Sequence, residues 1–465
     1  MPEVAVADVD ALVEKLQTLL AERRFDLLHE HLRQLPTPDL AEVLEAAPDD
    51  VEAVLFRLLD KERAYDTFEY FSVYAQERLL AGLGDKEAAS IINEMSADDR
   101  TALLEEVPGA VTRRLLNLLQ PEERKVAMEL LAYPEESIGR LMTPDYVAVK
   151  PAWTVAEALE HIRKFGRDSE TLNTVYVTGP GGVLVDDIRM RELLLVEPET
   201  RIGDMMDSQF VALNAVDDQE ESVALFRKHD RSALPVVDGS GVLVGIVTVD
   251  DVLDVAQEEA TEDIHQLGGV AALDEPYLET SLVNVIRKRA VWLVLLFLGQ
   301  TLTTSVMGVY EAEIANAVVL ALFLPLIISS GGNSGSQAAA LMTRAMALGE
   351  VTLDRWWLVV KRELGAGLAL GLLLGTLGFL RVAVVGIFGN TYGEHWFMIT
   401  LTIGLALVGV VAWGSLVGSV LPLVLKRFGA DPAASSTPFV ATVVDVTGIV
   451  IFFGLAKLIL TGTLL

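Results

Sequence analysis

The pattern of apolar positions changes character near residue 286. Before it, apolar residues recur at helical or strand spacings. No uninterrupted run there reaches the roughly 20 residues needed to cross a bilayer core. After Arg289 such runs follow one another and predict five membrane spans, at about 290–310, 315–343, 364–388, 396–425 and 438–460. Upstream, residues 8–135 read as helix after helix. Leu12-Leu16-Leu19-Leu20, Leu40-Val43-Leu44, Val51-Val54-Leu55-Leu58 and Leu103-Leu104-Val107 all keep three- and four-residue spacing. Pro36, Pro38, Pro48, Ser96 and Pro108 punctuate them, and Ser96 followed by Asp98 and Asp99 reads as a capped helix start. A loose period of about 24 residues predicts an α-solenoid-like superhelix.

Residues 136–258 carry an internal repeat. Gly139-Arg-Leu-Met-Thr-Pro-Asp-Tyr-Val-Ala-Val149 is echoed by Gly203-Asp-Met-Met-Asp-Ser-Gln-Phe-Val-Ala-Leu213. Each copy runs into an amphipathic helix, 155–165 or 220–228. A strand pair follows around a Gly turn, 175–177 with 183–185 and 234–237 with 242–247, and then a helix beginning near Arg191 or Asp250. Two such units resemble tandem CBS domains, a cytosolic ligand-sensing module. The resemblance is carried by Leu234-Pro-Val-Val-Asp238 and Gly245-Ile-Val-Thr-Val-Asp-Asp-Val-Leu253. Residues 252–282 then form one long acidic helix or linker toward the membrane.

Charge divides where hydropathy does. From Ile286 on there are 11 Lys and Arg against 8 Asp and Glu, a net charge of +3, which leaves −33 on the first 285 residues. A soluble half this acidic repels nucleic acid and concentrates cations, although it is also what a well-solvated surface looks like. No Cys is present, so disulfides, thiolate metal sites and Cys nucleophiles are excluded. Met1 opens into polar, acidic sequence, so no signal peptide is expected. Arg287-Lys288-Arg289, then Arg344, Arg355, Lys361 and Arg362, then Lys426-Arg427 fall on alternate ends of the spans. The other loops carry Glu311, Glu313 and Glu394. This places the N-terminus in the cytoplasm and the C-terminus outside. Trp292, Trp356, Trp357 and Trp396 fall near the interfaces.

Asp445 stands alone in the fifth apolar run. An ionisable group there costs several kcal/mol unless it faces water or a partner, and no Lys or Arg lies at comparable depth. A permeating cation would supply the missing charge. A protonated, hydrogen-bonded Asp between helices or a proton relay would also account for it. In the second run, Pro325 is expected to kink its helix, and Gly331, Gly332, Asn333, Ser334 and Gly335 to expose backbone and side-chain oxygens at membrane depth, as hard cations require. Close helix packing through small residues is the competing reading, and it fits Gly367, Gly371 and Gly375 better. Asp251, Asp254, Glu258 and Glu262 share a helix face. Like charges at that spacing repel, and a divalent ion would reverse the repulsion, although a solvated face is again the alternative. Thr248-Val-Asp-Asp251 resembles the CBS ribose-binding pattern, whereas the first unit has Arg189-Met-Arg-Glu192. No nucleotide-binding loop, zinc motif or catalytic triad is present, so neither enzymatic activity nor a bound organic cofactor is expected.

Taken together, these parts resemble the MgtE family of Mg2+ channels. The matching motifs are Pro325 with Gly-Gly-Asn-x-Gly335, and Asp431-Pro with Pro438-x-Val-Ala-Thr-x-x-Asp-Val-Thr-Gly448. The resemblance implies a helical membrane protein of five spans with a cytoplasmic superhelical N-domain (1–135), tandem α/β CBS domains (136–258), an acidic connecting plug helix (259–285) and a pore domain (286–465). It implies a homodimer in the lipid bilayer of the inner membrane, with Mg2+ as both cargo and regulator. Asp445, Gly331, Gly332, Asn333, Gly335, Gln337 and Thr437 would form the ion-binding pore. Asp98, Glu220, Asp230, Asp251, Asp254, Glu259, Glu262, Asp263 and Asp431 would bind regulatory Mg2+. The match departs at Ala102, where the family has a carboxylate, and at Thr174 and Arg231, where it has adenine-stacking aromatics. A transporter of Co2+ and a CBS-regulated anion channel remain the alternatives, as does a membrane-anchored adenylate sensor without transport.

Overall fold

The computed structural model describes residues 6–167, 169–273, 277–278, 280–389 and 395–463. Glu394 of the sequence reading lies outside them. Two compact units divide between Gln257 and Glu258.

The first unit opens with short helices from Val6–Ala21 to Pro121–Leu130. After Phe25 they begin every twelve residues, at Thr37, Asp49, Lys61, Val73, Asp85, Ala97, Gly109 and Pro121, so a helix pair makes the expected 24-residue repeat. Pro36, Pro48 and Pro108 stand just before three of these helices and Pro121 opens another, where its missing N–H would have no partner anyway, while Asp60, Ser72, Gly84 and Ser96 precede the rest. Alternate helices pack on each other: Val6–Ala21 on Thr37–Glu45, then Lys61–Glu69, Asp85–Ile92 and Gly109–Leu118. One position of the repeat is buried again and again, as at Leu28, Leu40, Glu52, Gln76, Ala88 and Arg100. Where it is polar it finds a partner, although Glu52 Oε1 and Arg100 Nε remain without one. Glu52 pairs with Arg78 at 3.0 Å, Gln76 donates to the Phe68 carbonyl at 2.9 Å, and Arg100 pairs with Glu123.

The repeat forms two three-stranded sheets. The first is β1 (Ala148–Val149), β2 (Thr174–Thr178) and β3 (Leu184–Arg189); the second is β4 (Leu213–Asn214), β5 (Ala233–Val237) and β6 (Leu243–Thr248). In each, the first strand runs parallel to the second and the second antiparallel to the third. The crossover helices are Val155–Phe165, opened by a Thr154/Glu157 capping box, and Glu220–His229. The leading segments are exchanged between the two sheets. Ile138 and Met142 pack in the core of the second, and Thr143 and Ile246 exchange both backbone hydrogen bonds. Conversely Ile202 packs in the core of the first, where its N–H donates to the Trp153 carbonyl at 2.9 Å.

The acidic helix runs Val249–Leu267 and stops. Gly269 (φ 71°) turns the chain, the Gly269 and Val270 N–H groups donate to the Gln266 and His265 carbonyls, and the helix does not continue toward Leu282. In the second unit five helices are long and apolar enough to cross a membrane: Leu282–Val309, Val318–Ala347 (interrupted at Leu322-Phe323), Leu353–Phe388, Trp396–Arg427 and Thr437–Leu460.

One expectation is corrected here. Leu324–Ala347 is a continuous helix, with Pro325 harmless in its first turn and Gly331–Gly335 helical throughout. These glycines serve packing. A methyl added at Gly414 or Gly418 would overlap the carbonyl of Gly331 or Gly335, so the second and fourth spans touch backbone to backbone. Ser334 and Ser415 share a hydrogen bond at 2.7 Å across the same contact. Gly367, Gly371 and Gly375 pack on Ala412, Val408 and Gly404, as their spacing suggests.

Candidate pore and acidic cluster

Asp445 lies inside the Thr437–Leu460 helix, half-buried, and makes no ion pair among the described residues. Two neighbours define its surroundings. Gly332 faces it, such that an added methyl would come 3.8 Å from the carboxylate Oδ1. The Gln300 carboxamide, from the first span, approaches as a hydrogen-bond donor. Gly299 beside Gln300 packs on Thr442, which fixes the two helices at that level. Sequence reasoning misses Gln300; its only signal is a carboxamide within an apolar run.

The remaining pore candidates separate into two sets. Gly331 and Gly335 face the fourth span. Asn333 and Gln337, four residues apart and thus on one helix face, are not part of that contact. Asn333 and Gln337 are both exposed, as expected of polar groups available to water or an ion. Thr437 ties the unit's parts together: its hydroxyl donates to the Leu267 carbonyl at 3.1 Å, and its carbonyl accepts from Ser336 at 3.2 Å. The end of the acidic helix is thereby joined to the start of the span that carries Asp445. Trp413 adds a further clamp, its indole N–H donating to Thr447 Oγ1 at 2.8 Å, two residues beyond Asp445.

In the first unit, the fold brings together carboxylates that are far apart in sequence: Glu69, Asp98, Asp99, Glu170, Asp250, Asp251 and Asp254. Local capping explains two placements. Ser96 Oγ accepts the Asp99 N–H, and the Asp251 carboxylate accepts from the backbone and hydroxyl of Thr248. Burial first, then mutual repulsion, holds Asp98 and Asp251 well above the usual carboxylate range. Burial pushes Glu170 up to about 7, and every charged group close enough to add to its shift is itself a carboxylate: Asp98, Asp99, Asp250 and Glu69. Glu69 also reaches about 7, chiefly through burial, against a hydrogen bond from Tyr65. Sequence reasoning finds Asp98, Asp251 and Asp254 but not Glu69 or Glu170.

The other regulatory candidates are placed as follows on their own elements. Glu220 opens one ten-residue helix and Asp230 closes it, so at about 1.5 Å rise per residue they are far too distant to share an ion. Glu259, Glu262 and Asp263 lie on the later turns of the acidic helix, where Glu262 accepts from Gln266 at 2.6 Å. Asp431 is exposed and caps the turn Pro432–Ala434 by accepting the Ala433 N–H at 2.8 Å. Among the described residues no group of three or more Asp, Glu or His forms a ready-made metal cage. Arg231, where adenine stacking would have needed an aromatic ring, is paired with buried Asp187 at 3.0 Å.

Three family profiles match along the chain: the MgtE intracellular N domain at residues 35–136, the CBS domain at 202–258 and the MgtE divalent cation transporter at 324–455. The chain is 37% identical to the magnesium transporter MgtE of Thermus thermophilus, over 97% of its own length and 99% of that protein's. It belongs to the MgtE family of magnesium transporters. The Bacillus subtilis MgtE is 29% identical over 96% of this chain and 97% of its own. The crystal structure of the cytosolic domain of the Mg2+ channel MgtE in complex with ATP superposes with a TM-score of 0.50 at 35% identity, covering 52% of this chain and 99% of that one. The helical N domain, the CBS units and the transporter half read from the sequence are thus those of an MgtE protein.

Proposed function

We propose that this MgtE-family chain pairs with a second copy to form a pore for hydrated Mg2+, with Asp445 as its ion-binding carboxylate, and that internal Mg2+ closes it. The carrying observation is Asp445 itself: a carboxylate at membrane depth, faced by Gly332 and a neutral carboxamide and balanced by no cationic side chain among the described residues. Mg2+ gives up its waters reluctantly, so a site with one carboxylate beside a glycine gap suits an ion that keeps its shell. Asn333 and Gln337 offer further oxygens along the second span, and Thr437 links the pore helix to the acidic plug. The C-terminus then lies outside the cell.

Gating follows from the crowded carboxylates. Without Mg2+ they repel and the cytoplasmic half loosens; with Mg2+ bound they are neutralised, the dimer compacts and flux stops. Such feedback requires the closed state to bind more Mg2+ than the open one. Alanine at Asp254, Glu258 and Glu259 together is expected to leave liposome Mg2+ influx active at internal Mg2+ levels that shut the parent. Unchanged inhibition in that triple variant would refute the gating scheme. Flux with Mg2+, Co2+, Ca2+ and Cl− in the same vesicles tests the cargo.

The same crowding gives a pH signature. Glu69 and Glu170 hold protons up to about 7 in the folded chain, but ordinary Glu in the unfolded chain only to about 4.3. The folded state therefore binds more protons across that window, and its stability declines as pH rises through it. In EDTA, the unfolding midpoint of the first unit should fall between about pH 4 and 7. Millimolar Mg2+, which replaces those protons, should flatten the slope and release acid on binding. Equal slopes with and without Mg2+ would show that the cluster does not take the ion.

A further inference from the structure

Nine of the eleven basic residues after Ile286 sit at one end of the helical bundle: Arg287 to Arg289, Arg344, Arg355, Lys361, Arg362, Lys426 and Arg427. This is the end at which the chain enters the membrane. The third span, whose helix begins at Trp356, carries three of them at its start. The packed side of those turns is fixed by buried Val359, which meets Met342, Met346 and Leu423, while Gly367 and Gly371 continue the contact on the fourth span. At about 100° per residue, Trp357 and Lys361 point away from Val359 and Arg362 lies on one flank, while Arg355 ends the 3-10 turn that precedes the helix. All four are exposed, Trp357 by 63%. Deeper along the same outward face come Leu364 and Leu368, exposed by 41% and 48%.

We infer that this outward face of the third span seats an anionic phospholipid, with its phosphate against Arg355, Lys361 and Arg362, its glycerol level at Trp357 and its acyl chains along Leu364 and Leu368. The order of groups along the helix is that of a lipid, from charged headgroup through amphipathic indole to aliphatic tail. Acidic side chains offset these cations only in part. None of the three makes an ion pair among the described residues; Asp354 lies beside Arg355 and Glu363 beside Arg362, and Lys361 has no such neighbour among the interactions resolved for them. Net charge cannot produce the same preference, because the whole chain carries −30 and repels an anionic leaflet. Attraction must come from the basic end of the bundle, where this face presents three of the nine cations. Basic clusters beside a span bind anionic headgroups in this way, each cation contributing about a five-fold preference. The inference holds whichever ion the pore passes.

Fluorescence quenching tests it in the full-length chain, in phosphatidylcholine bilayers titrated with brominated phosphatidylglycerol or brominated phosphatidylcholine. The signal is the quenching lost on Trp357→Phe. The native chain is expected to favour phosphatidylglycerol several-fold there, and the R355Q/K361Q/R362Q variant to show equal quenching by both lipids. If that variant does not insert, raising NaCl from about 0.1 to 1 M should erase the native preference, since the Debye length falls from about 10 to 3 Å. Equal quenching in the native chain, or a preference that survives both tests, would overturn the assignment. Displacement by millimolar inorganic phosphate would do so too, by pointing to a soluble anion. A triple variant that drives a dimer to monomer in pure phosphatidylcholine would instead assign the face to a second copy.

Discussion

Asp445→Asn should cut Mg2+ influx in reconstituted vesicles at least ten-fold while leaving the protein folded. The substitution keeps the shape of the side chain and removes its charge, so it isolates electrostatics from packing. A carboxylate about 5 Å from a hydrated divalent ion contributes roughly 2 kcal/mol in a water-like dielectric and roughly 7 kcal/mol at an effective dielectric near 20. Since about 1.4 kcal/mol is a factor of ten, even the lower bound predicts a clear loss. Thermal unfolding in detergent should not suffer, because a half-buried carboxylate without a counter-ion costs free energy that the amide does not. An Asp445→Asn variant that conducts Mg2+ like its parent would remove the basis of the pore assignment.

Gly418→Ala should do the reverse and damage the fold before the chemistry. The added methyl would run into the Gly335 carbonyl, a backbone atom that cannot rotate away, so the second and fourth spans must separate. Overpacking of this kind costs roughly 1–3 kcal/mol, and with no flexible side chain to yield, the upper end is expected. Gly454→Ala is the control. Nothing lies within 4 Å of its added methyl, and alanine there should be neutral or slightly stabilising by helix propensity. Equal unfolding midpoints for the two variants would show that the glycine contact between the spans does not hold the bundle together.

The contrast between these two sites shows where sequence reading succeeds. Asp445 stands out because one charge in an apolar run breaks a rule that lipid enforces on every residue. Spans, capped helix starts and the crossover helix Val155–Phe165 are legible for the same reason: each is a local pattern with a local cause. Gly331 and Gly335 suggest unwound backbone, because glycine in a loop and glycine at a helix contact look alike until Gly414 and Gly418 are placed opposite. Glu69 and Glu170 are about a hundred residues apart and unremarkable alone; only the fold turns them into a group that must share charge with Asp98 and Asp251. Gln300 is invisible in the same way, since its meaning depends on a helix that lies 145 residues later in the chain.

The exchanged leading segments have a consequence for how this protein can be cut. A fragment starting at residue 202, where the CBS profile match begins, would discard Ile138, Met142 and Thr143. It would keep an outer strand, β6, with Ile246 robbed of both backbone partners, and an apolar hollow under β4. It would also retain the 202–206 segment with nothing to lean on. Such a fragment should aggregate or scavenge a substitute strand, whereas one beginning ahead of Ser137 stays intact. The two halves of the duplication are therefore mutual scaffolds, and neither could have been lost or grafted separately.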